Sequence, residues 1–159
     1  VIFTISPLET KSWKSFPSKR LDETKSTKRY LGEISTIEII KNEGLGPEDM
    51  EVDSKSNVYT GLDNGDLIRI DALGQETVLV NTGGRILGMD RAPDGSFILA
   101  DADKGLLQYD MASGELKTLL TEAGGKKLGF TDDISVSKNG VIYFSDAAQR
   151  YDFKNYFRK

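Results

Sequence analysis

Residues 57–71 read NVYTGLDNGDLIRID, which is two runs of β-forming residues on either side of the polar turn DNGD (63–66). The same arrangement returns 39 residues later, without a gap, as SFILADADKGLLQYD (96–110). Apolar positions coincide in the two copies: Val58 with Phe97, Tyr59 with Ile98, Leu67 with Leu106 and Ile70 with Tyr109. The chain therefore contains a repeated antiparallel β-meander.

A third copy begins 45 residues after the second, where NGVIYFSD (139–146) matches DGSFILAD (94–101). Units of about 40 residues with about four strands each are typical of β-propeller blades. The alternative is an unrelated series of hairpins in a β-sandwich, which a gapless match over fifteen positions disfavours. We therefore predict an all-β protein with a partial β-propeller over residues 36–159.

The repeat also predicts where the blades lie. Blade one covers about 47–84, blade two about 86–125, and the start of blade three about 130–159, which makes about two and a half blades. Residues 1–35 are polar and predict an irregular leader or linker. A propeller ring closes with about four to eight blades. We expect the remaining blades from a second chain or from a segment outside this sequence, and we expect this stretch alone to be inactive.

Composition narrows the possible chemistry. The chain has 159 residues, a net charge of −4, no Cys and no His. Disulfides, thiol or imidazole ligands and Ser–His or Cys–His nucleophiles are therefore excluded within it. The modest negative charge disfavours nucleic acid as a partner. What remains is chemistry based on carboxylates, Lys, Tyr or a hard metal ion that prefers oxygen ligands.

The first seven residues, VIFTISP, are too few to span a bilayer. They fit the beginning of an ordinary strand, and they also fit the remnant of a removed signal peptide or membrane anchor. The absence of Cys fits any compartment. The sequence therefore leaves periplasmic, membrane-anchored and cytoplasmic locations open.

Acidic pairs mark the start of two of the three repeats. Extending the register backwards aligns MEVDSKSN (50–57) with MDRAPDGS (89–96) and with ISVSKNGV (134–141). The two residues before each block are Glu48 and Asp49, Leu87 and Gly88, and Asp132 and Asp133. This register position begins the innermost strand of a blade, and the innermost strands line the central channel.

Carboxylates gathered around a narrow channel are costly unless something compensates their charge. Ca²⁺ would do so, because it takes six to eight oxygen ligands, and another divalent cation is a second option. The alternative is that the acids lie at a wet rim or accept backbone N–H groups. Neighbouring side chains on a strand point in opposite directions, so each pair suits two ions, or one ion and one hydrogen-bonded support.

Other motifs are interpreted structurally. The Gly-rich runs NTGGR (81–85) and EAGGKK (122–127) recur between blades and do not lead from a strand into a helix. They indicate linkers rather than phosphate-binding loops. The aromatic residues Tyr59, Tyr109, Tyr143 and Phe144 occupy strand positions, and we expect them in the core of the sheets rather than in a ligand cage.

Three longer motifs occur in order: GPEDMEVDSKSNVYTGLDNGDLIRI (46–70), GGRILGMDRAPDGSFILADADKGLLQYD (83–110) and GFTDDISVSKNGVIYFSDAAQRYDF (129–153). Together they resemble the N-terminal half of the SMP-30/gluconolactonase and strictosidine-synthase-like group. Members of this group are six-bladed β-propellers related to the paraoxonases. The resemblance implies that the present chain supplies part of a six-bladed ring.

The resemblance also implies a Ca²⁺ ion in the central channel, held in part by Glu48 of the GPE motif. It places Asp132 where the family has the Asn of an F-x-N-D motif, which keeps an oxygen ligand and adds a charge. Asp49 and Asp133 match positions that hold a second, structural ion in paraoxonase-like relatives. The leader is similar to the linker that follows an N-terminal membrane anchor in bacterial members, so a lost anchor fits VIFTISP.

These expectations combine into one leading function and two alternatives. The leading function is the N-terminal part of a calcium-dependent hydrolase of small lactones or esters. In it, Glu48 and Asp132 are ligands and catalytic carboxylates, and Asp49 and Asp133 are further ligands. The first alternative is a strictosidine-synthase-like lyase, which joins an amine and an aldehyde without metal and whose key acid, by the resemblance, lies in a later blade. The second is a non-enzymatic propeller that serves as a binding scaffold.

Overall fold

The computed structural model of the chain describes residues 45–148. The predicted leader (1–35) and the end of the predicted third blade (149–159) lie outside the described residues. Residue contacts divide the chain into Val1–Ile39 and Ile40–Lys159, and everything described below belongs to the second unit. Among residues 45–148, no helix is long and apolar enough to cross a membrane.

The first repeat folds into a four-stranded antiparallel sheet. Its strands follow the chain in space in the order β1–β2–β3–β4. They are β1 (Met50–Val52), β2 (Val58–Gly61), β3 (Asp66–Ile70) and β4 (Glu76–Asn81). The quoted stretch of sequence supplies the central hairpin, in which Tyr59 is opposite Arg69 and Thr60 is opposite Ile68. β1 and β4 are the two edge strands of this sheet.

The second repeat builds a sheet of the same kind, and the third begins another. The second sheet consists of β5 (Ile86–Arg91), β6 (Phe97–Asp101), β7 (Gly105–Tyr109) and β8 (Leu116–Leu120). A short hairpin of β9 (Glu122–Ala123) and β10 (Lys126–Lys127) follows. The third repeat contributes β11 (Thr131–Val136) and β12 (Ile142–Asp146). Two complete blades and the first two strands of a third confirm the predicted partial β-propeller.

Two of the three apolar clusters lie between consecutive blades, and the third, formed by Leu62, Ile68 and Ile70, belongs to blade one alone. Between blades one and two, Tyr59 and Leu67 pack with Met89 and Phe97, and all four are almost fully buried. The Tyr59 and Phe97 rings are 4.9 Å apart and tilted by 50°. Each large side chain buried in this way contributes roughly 1.5–3 kcal/mol to folding. Face-to-face packing of neighbouring blades is therefore the main apolar contribution to the stability of this part of the ring.

A second apolar cluster joins blades two and three. Ile98, Ala100 and Leu106 from blade two surround Ile134 of blade three, and Phe144 packs against them. Tyr143 differs from its predicted place in the core, because 63% of it is exposed. The alternation of β12 explains this difference. Phe144 faces blade two, whereas its neighbour Tyr143 faces away from it.

The turn between β1 and β2 is closed by Asp53. Its carboxylate accepts the backbone N–H groups of Lys55 (2.8 Å) and Asn57 (2.9 Å), the Asn57 side-chain amide (2.8 Å) and the Tyr59 hydroxyl (3.0 Å). These donors, the Asn57 side chain foremost, lower the pKa of Asp53 to about 2. The carboxylate therefore stays ionised at neutral pH and holds the turn that leads from β1 into β2.

Asp101 fixes the beginning of blade two. It is completely buried at the end of β6 and accepts the Thr82 hydroxyl at 2.6 Å. It also accepts the backbone N–H groups of Arg85 (3.1 Å), Asp103 (3.0 Å) and Lys104 (3.0 Å). One carboxylate thus holds the linker into β5 and the turn after β6 together.

Candidate functional site

Glu48 lies just before β1 and forms an ion pair with Arg85. The distance between Glu48 Oε1 and Arg85 Nη2 is 2.8 Å, with the Glu48 side chain 51% exposed and the Arg85 side chain 11% exposed. Arg85 comes from NTGGR, immediately before β5 of blade two. Its guanidinium therefore fixes the orientation of the Glu48 carboxylate across the boundary between the first two blades.

The Gly of the GPE motif makes room for this arginine. Gly46 has φ = +66°, and a Cβ placed there would lie 2.8 Å from Nη1 of Arg85. The Gly46 carbonyl also accepts a long hydrogen bond of 3.4 Å from Nη2. A left-handed backbone in contact with a guanidinium accepts only glycine without strain. The motif is thus shaped around Arg85, which the sequence interpretation of NTGGR as a linker did not identify.

Asp132, at the start of β11 in blade three, is influenced electrostatically by Glu48. The pKa of Asp132 is raised first by burial, then by the negative charge of Glu48, and then by that of Asp133. Charge interactions of this kind require the groups to be close together. The influence of Glu48 on Asp132 therefore indicates that these carboxylates of blades one and three lie in one region.

Asp49 uses its carboxylate differently. Oδ1 accepts the backbone N–H of Met50 at 2.8 Å, and Oδ2 accepts the backbone N–H of Met89 in blade two at 2.9 Å. The Asp49 carbonyl accepts the Thr60 hydroxyl at 2.8 Å. Asp49 therefore fits the alternative to a metal ligand that the sequence left open, in which an acid of the pair accepts backbone N–H groups. Within each acidic pair, the two carboxylates therefore have different surroundings.

Asp133 resembles Asp49 in its local hydrogen bonding. Its Oδ1 accepts the backbone N–H of Ile134 at 2.8 Å, and its own N–H donates to Ser145 Oγ at 3.1 Å. The side chain is exposed. Asp133 thus supports the backbone of β11 and is close enough to Asp132 to affect its pKa.

The second repeat has Gly88 at the register position of Asp49 and Asp133, and the packing explains why. A Cβ on Gly88 would lie 2.7 Å from the carbonyl oxygen of Asp132 and 3.1 Å from the Cα of Asp133. The backbone of blade three therefore occupies the space that a side chain would need. An acid at this position is possible in blade two only if the neighbouring strand moves away.

Blade two places its aspartate two residues further along, at Asp90. Oδ1 of Asp90 accepts the backbone N–H of Arg91 at 2.6 Å, and Oδ2 accepts the backbone N–H of Val136 in blade three at 2.6 Å. The sequence comparison missed Asp90 because it examined only the two residues before each aligned block. The available signal was that every copy has an aspartate near the start of its innermost strand.

The site offers oxygen ligands of the kind that a hard cation prefers, but it supplies only part of a ligand set. Glu48 and Asp132 offer carboxylate oxygens. Burial, and after it the negative charges of Glu48 and Asp133, raise the pKa of Asp132, and a cation would offset these effects. Among residues 45–148, no group of three or more acidic side chains is placed to hold a metal ion. The two carboxylates therefore fit one side of a calcium site whose other oxygens would come from outside these residues.

Comparison with curated proteins shows one recurrent similarity. The family described as "Strictosidine synthase-like, N-terminal" matches residues 31–70. Protein STRICTOSIDINE SYNTHASE-LIKE 4 of Arabidopsis thaliana is 41% identical over 113 residues, which cover 67% of this chain and 30% of that protein. The chain spans about a third of the length of the curated relatives it matches, 30% and 38% in the first two.

Solved structures show the same fold at lower sequence identity. A gluconolactonase from Xanthomonas campestris matches with a TM-score of 0.60 and 17% identity, over 67% of this chain and 37% of that chain. The WD40 β-propeller domain of Doa1 matches with a TM-score of 0.53 and 15% identity, over 65% of this chain and 34% of that chain. At such identities, the comparison shows the propeller fold alone.

Proposed function

We propose that this chain, as a member of the strictosidine-synthase-like propeller family to which its relatives point, is part of a calcium-dependent hydrolase of lactones or esters. The main support is that Glu48 of blade one lies close enough to Asp132 of blade three for its charge to add to the effect of burial, which together raise the pKa of Asp132. The likeness to a gluconolactonase adds a fold on which lactone hydrolysis is known.

The residues of this chain have separate roles in the proposal. Glu48, oriented by Arg85, and Asp132 hold the calcium ion, together with oxygen ligands from other blades. When bound, calcium supplies a Lewis acid for the carbonyl oxygen of the substrate. Asp49 keeps β1 in position beside β5, because its two oxygens join the edges of these strands. Glu48 is thereby held at the beginning of a fixed strand.

Hydrolysis requires a proton acceptor in addition to the ion. Water adds its oxygen to the carbonyl carbon, the C–O bond of the ring or ester breaks, and the proton removed from water passes to the leaving oxygen. A carboxylate with a raised pKa accepts a proton more readily near neutral pH than an ordinary one. Burial and neighbouring negative charge raise the pKa of Asp132 in the metal-free chain, whereas a bound calcium ion would lower it. We propose Asp132 as the candidate base because it is one of the two carboxylates at the site.

The proposal is tested by assaying the full-length protein on a panel of small lactones and aryl esters. We expect hydrolysis that EDTA reduces to the uncatalysed rate and that added Ca²⁺ restores. Mg²⁺ in place of Ca²⁺ serves as the control for ionic strength and charge. Hydrolysis that is unchanged after EDTA treatment and dialysis would rule out the role of the ion.

The second candidate is the metal-independent lyase, favoured by the match to the strictosidine-synthase-like family. In that reaction an amine and an aldehyde take up a proton and condense to an iminium ion and water. A carbon of the amine partner then bonds to the iminium carbon and loses a proton. Among residues 45–148, the site described above offers carboxylates and an arginine, so the reacting groups would come from elsewhere in the ring. Product formation from an amine and an aldehyde in the presence of EDTA, with no lactone hydrolysis, would favour this class.

A further inference from the structure

Asp49 and Asp90 connect consecutive blades by the same hydrogen-bonding pattern. In each case Oδ1 accepts the backbone N–H of the next residue, which is Met50 or Arg91. Oδ2 accepts a backbone N–H from the innermost strand of the following blade, which is Met89 or Val136. Each carboxylate therefore joins two strands that belong to different sheets.

The two amides that each aspartate joins are equivalent in the repeat. Met89 follows Met50 by the offset of 39 that relates blades one and two, and Val136 follows Arg91 by the offset of 45 that relates blades two and three. The strands β1 and β5 are sheet edges, so their outward N–H groups have no partner in the β-ladder. A carboxylate between two such edges satisfies one donor on each side.

Asp133 shows the first half of this pattern. Its Oδ1 accepts the backbone N–H of Ile134, the next residue, on the edge strand β11. No donor among residues 45–148 reaches Oδ2 of Asp133. The carboxylate is thus arranged like those of Asp49 and Asp90, with one acceptor oxygen left over.

The sheet face beside Asp133 is apolar and exposed. Tyr143 is 63% exposed and Val141 is 44% exposed. The register equivalents of Tyr143 in the first two blades are Tyr59 and Ile98, which are 4% and 3% exposed. The following blade covers Tyr59 and Ile98. The Tyr143 face is therefore the repeat equivalent of two faces that a following blade covers.

We propose that Asp133 joins blade three to the innermost strand of a further blade on the same polypeptide. A backbone N–H of that strand donates to Oδ2, and its apolar side chains cover Tyr143 and Val141. Met89 follows Asp49 by 40 residues and Val136 follows Asp90 by 46 residues. We therefore expect the donor to Asp133 about 40 to 46 residues after it. The relatives, which extend well beyond the matched third, have room for such a segment. This role is independent of the hydrolase proposal.

Amide hydrogen exchange in the full-length protein tests this assignment. Asp90→Asn is the matched control, since its donor is known, and it should speed exchange of the Val136 amide about tenfold or more. Asp133→Asn should speed exchange to a similar degree at one amide in the predicted window. Both effects should persist in EDTA, because no ion takes part in these hydrogen bonds.

Two results would overturn the proposal. The first is that Asp133→Asn changes no amide beyond residue 148 while Asp90→Asn still exposes Val136. The second is that the Asp133→Asn effect disappears in EDTA, which would make Asp133 an ion ligand.

A labelling experiment covers the case in which Asp133→Asn does not fold. This stretch contains no cysteine, so Tyr143→Cys can be compared with Leu73→Cys, whose position is 85% exposed. In the folded full-length protein, the thiol introduced at position 143 should react with a maleimide at least about tenfold more slowly, because burial limits access. Equal reaction rates at the two positions would contradict a covering blade.

Discussion

Glu48→Gln should reduce lactone hydrolysis by the full-length protein about 100-fold or more, because it removes a charged calcium ligand and the partner of Arg85 together. The amide keeps the size of the side chain, so the loop before β1 should retain its shape. The measurement is kcat/KM for the best lactone of the panel, at saturating calcium.

The control is Glu76→Gln, which makes the same chemical change at an exposed position on the outermost strand of the same blade. It should leave kcat/KM within about twofold of wild type, since an isolated surface charge contributes little. Circular dichroism should show both variants folded. Full activity of Glu48→Gln would remove Glu48 from the proposed site.

Asp101→Ala should lower the free energy of unfolding of the full-length protein by about 3–5 kcal/mol, because buried donors lose their acceptor. Asp101 is fully buried and accepts hydrogen bonds from Thr82, Arg85, Asp103 and Lys104. A water molecule in the vacated space accepts at most two hydrogen bonds, so at least two of these four donors stay unsatisfied. Urea denaturation, followed by tryptophan fluorescence and circular dichroism, measures the change.

Asp110→Ala is the matched control for burial. Asp110 also accepts two backbone N–H groups in a turn, from Ala112 at 2.7 Å and Ser113 at 2.9 Å, but it is exposed. Water can replace its carboxylate, so the loss should be about 1 kcal/mol or less. Equal losses for Asp101→Ala and Asp110→Ala would show that burial of Asp101 does not determine its contribution.

The fold was predictable because the repeat is visible in the sequence. A gapless offset of 39 residues keeps alternate positions apolar, and alternation alone determines which face of a strand is buried. Tyr59, Leu67 and Leu106 accordingly lie between blades. Tyr143 follows the same alternation, and it is exposed because no neighbouring blade is present among residues 45–148.

The site was predictable only in part. The register predicted that Glu48 and Asp132 share one region, but it treated both members of each acidic pair alike. The folded structure gives Glu48 and Asp49 different roles, because Asp49 lies between the edges of β1 and β5 and accepts a backbone N–H from each. Such edge donors are not evident from a side-chain pattern.

The sequence pattern also failed to identify Asp90 and Arg85, because their roles depend on contacts between blades. Gly88 takes the register position of Asp49 because the backbone of blade three fills the space beside it. The interblade aspartate of blade two is therefore shifted by two residues. Arg85 follows two glycines in a linker, and only the folded chain shows that its guanidinium reaches Glu48 across the blade boundary.

The most direct test of the calcium site is the thermal unfolding midpoint of the full-length protein during a calcium titration, with wild type beside Glu48→Gln. A ligand that binds only the folded state stabilises it by about 2.7 kcal/mol at a concentration of 100 Kd. We predict that the wild-type midpoint rises with calcium and that the Glu48→Gln midpoint rises only at much higher concentrations. A wild-type midpoint that calcium does not move would contradict the proposed site.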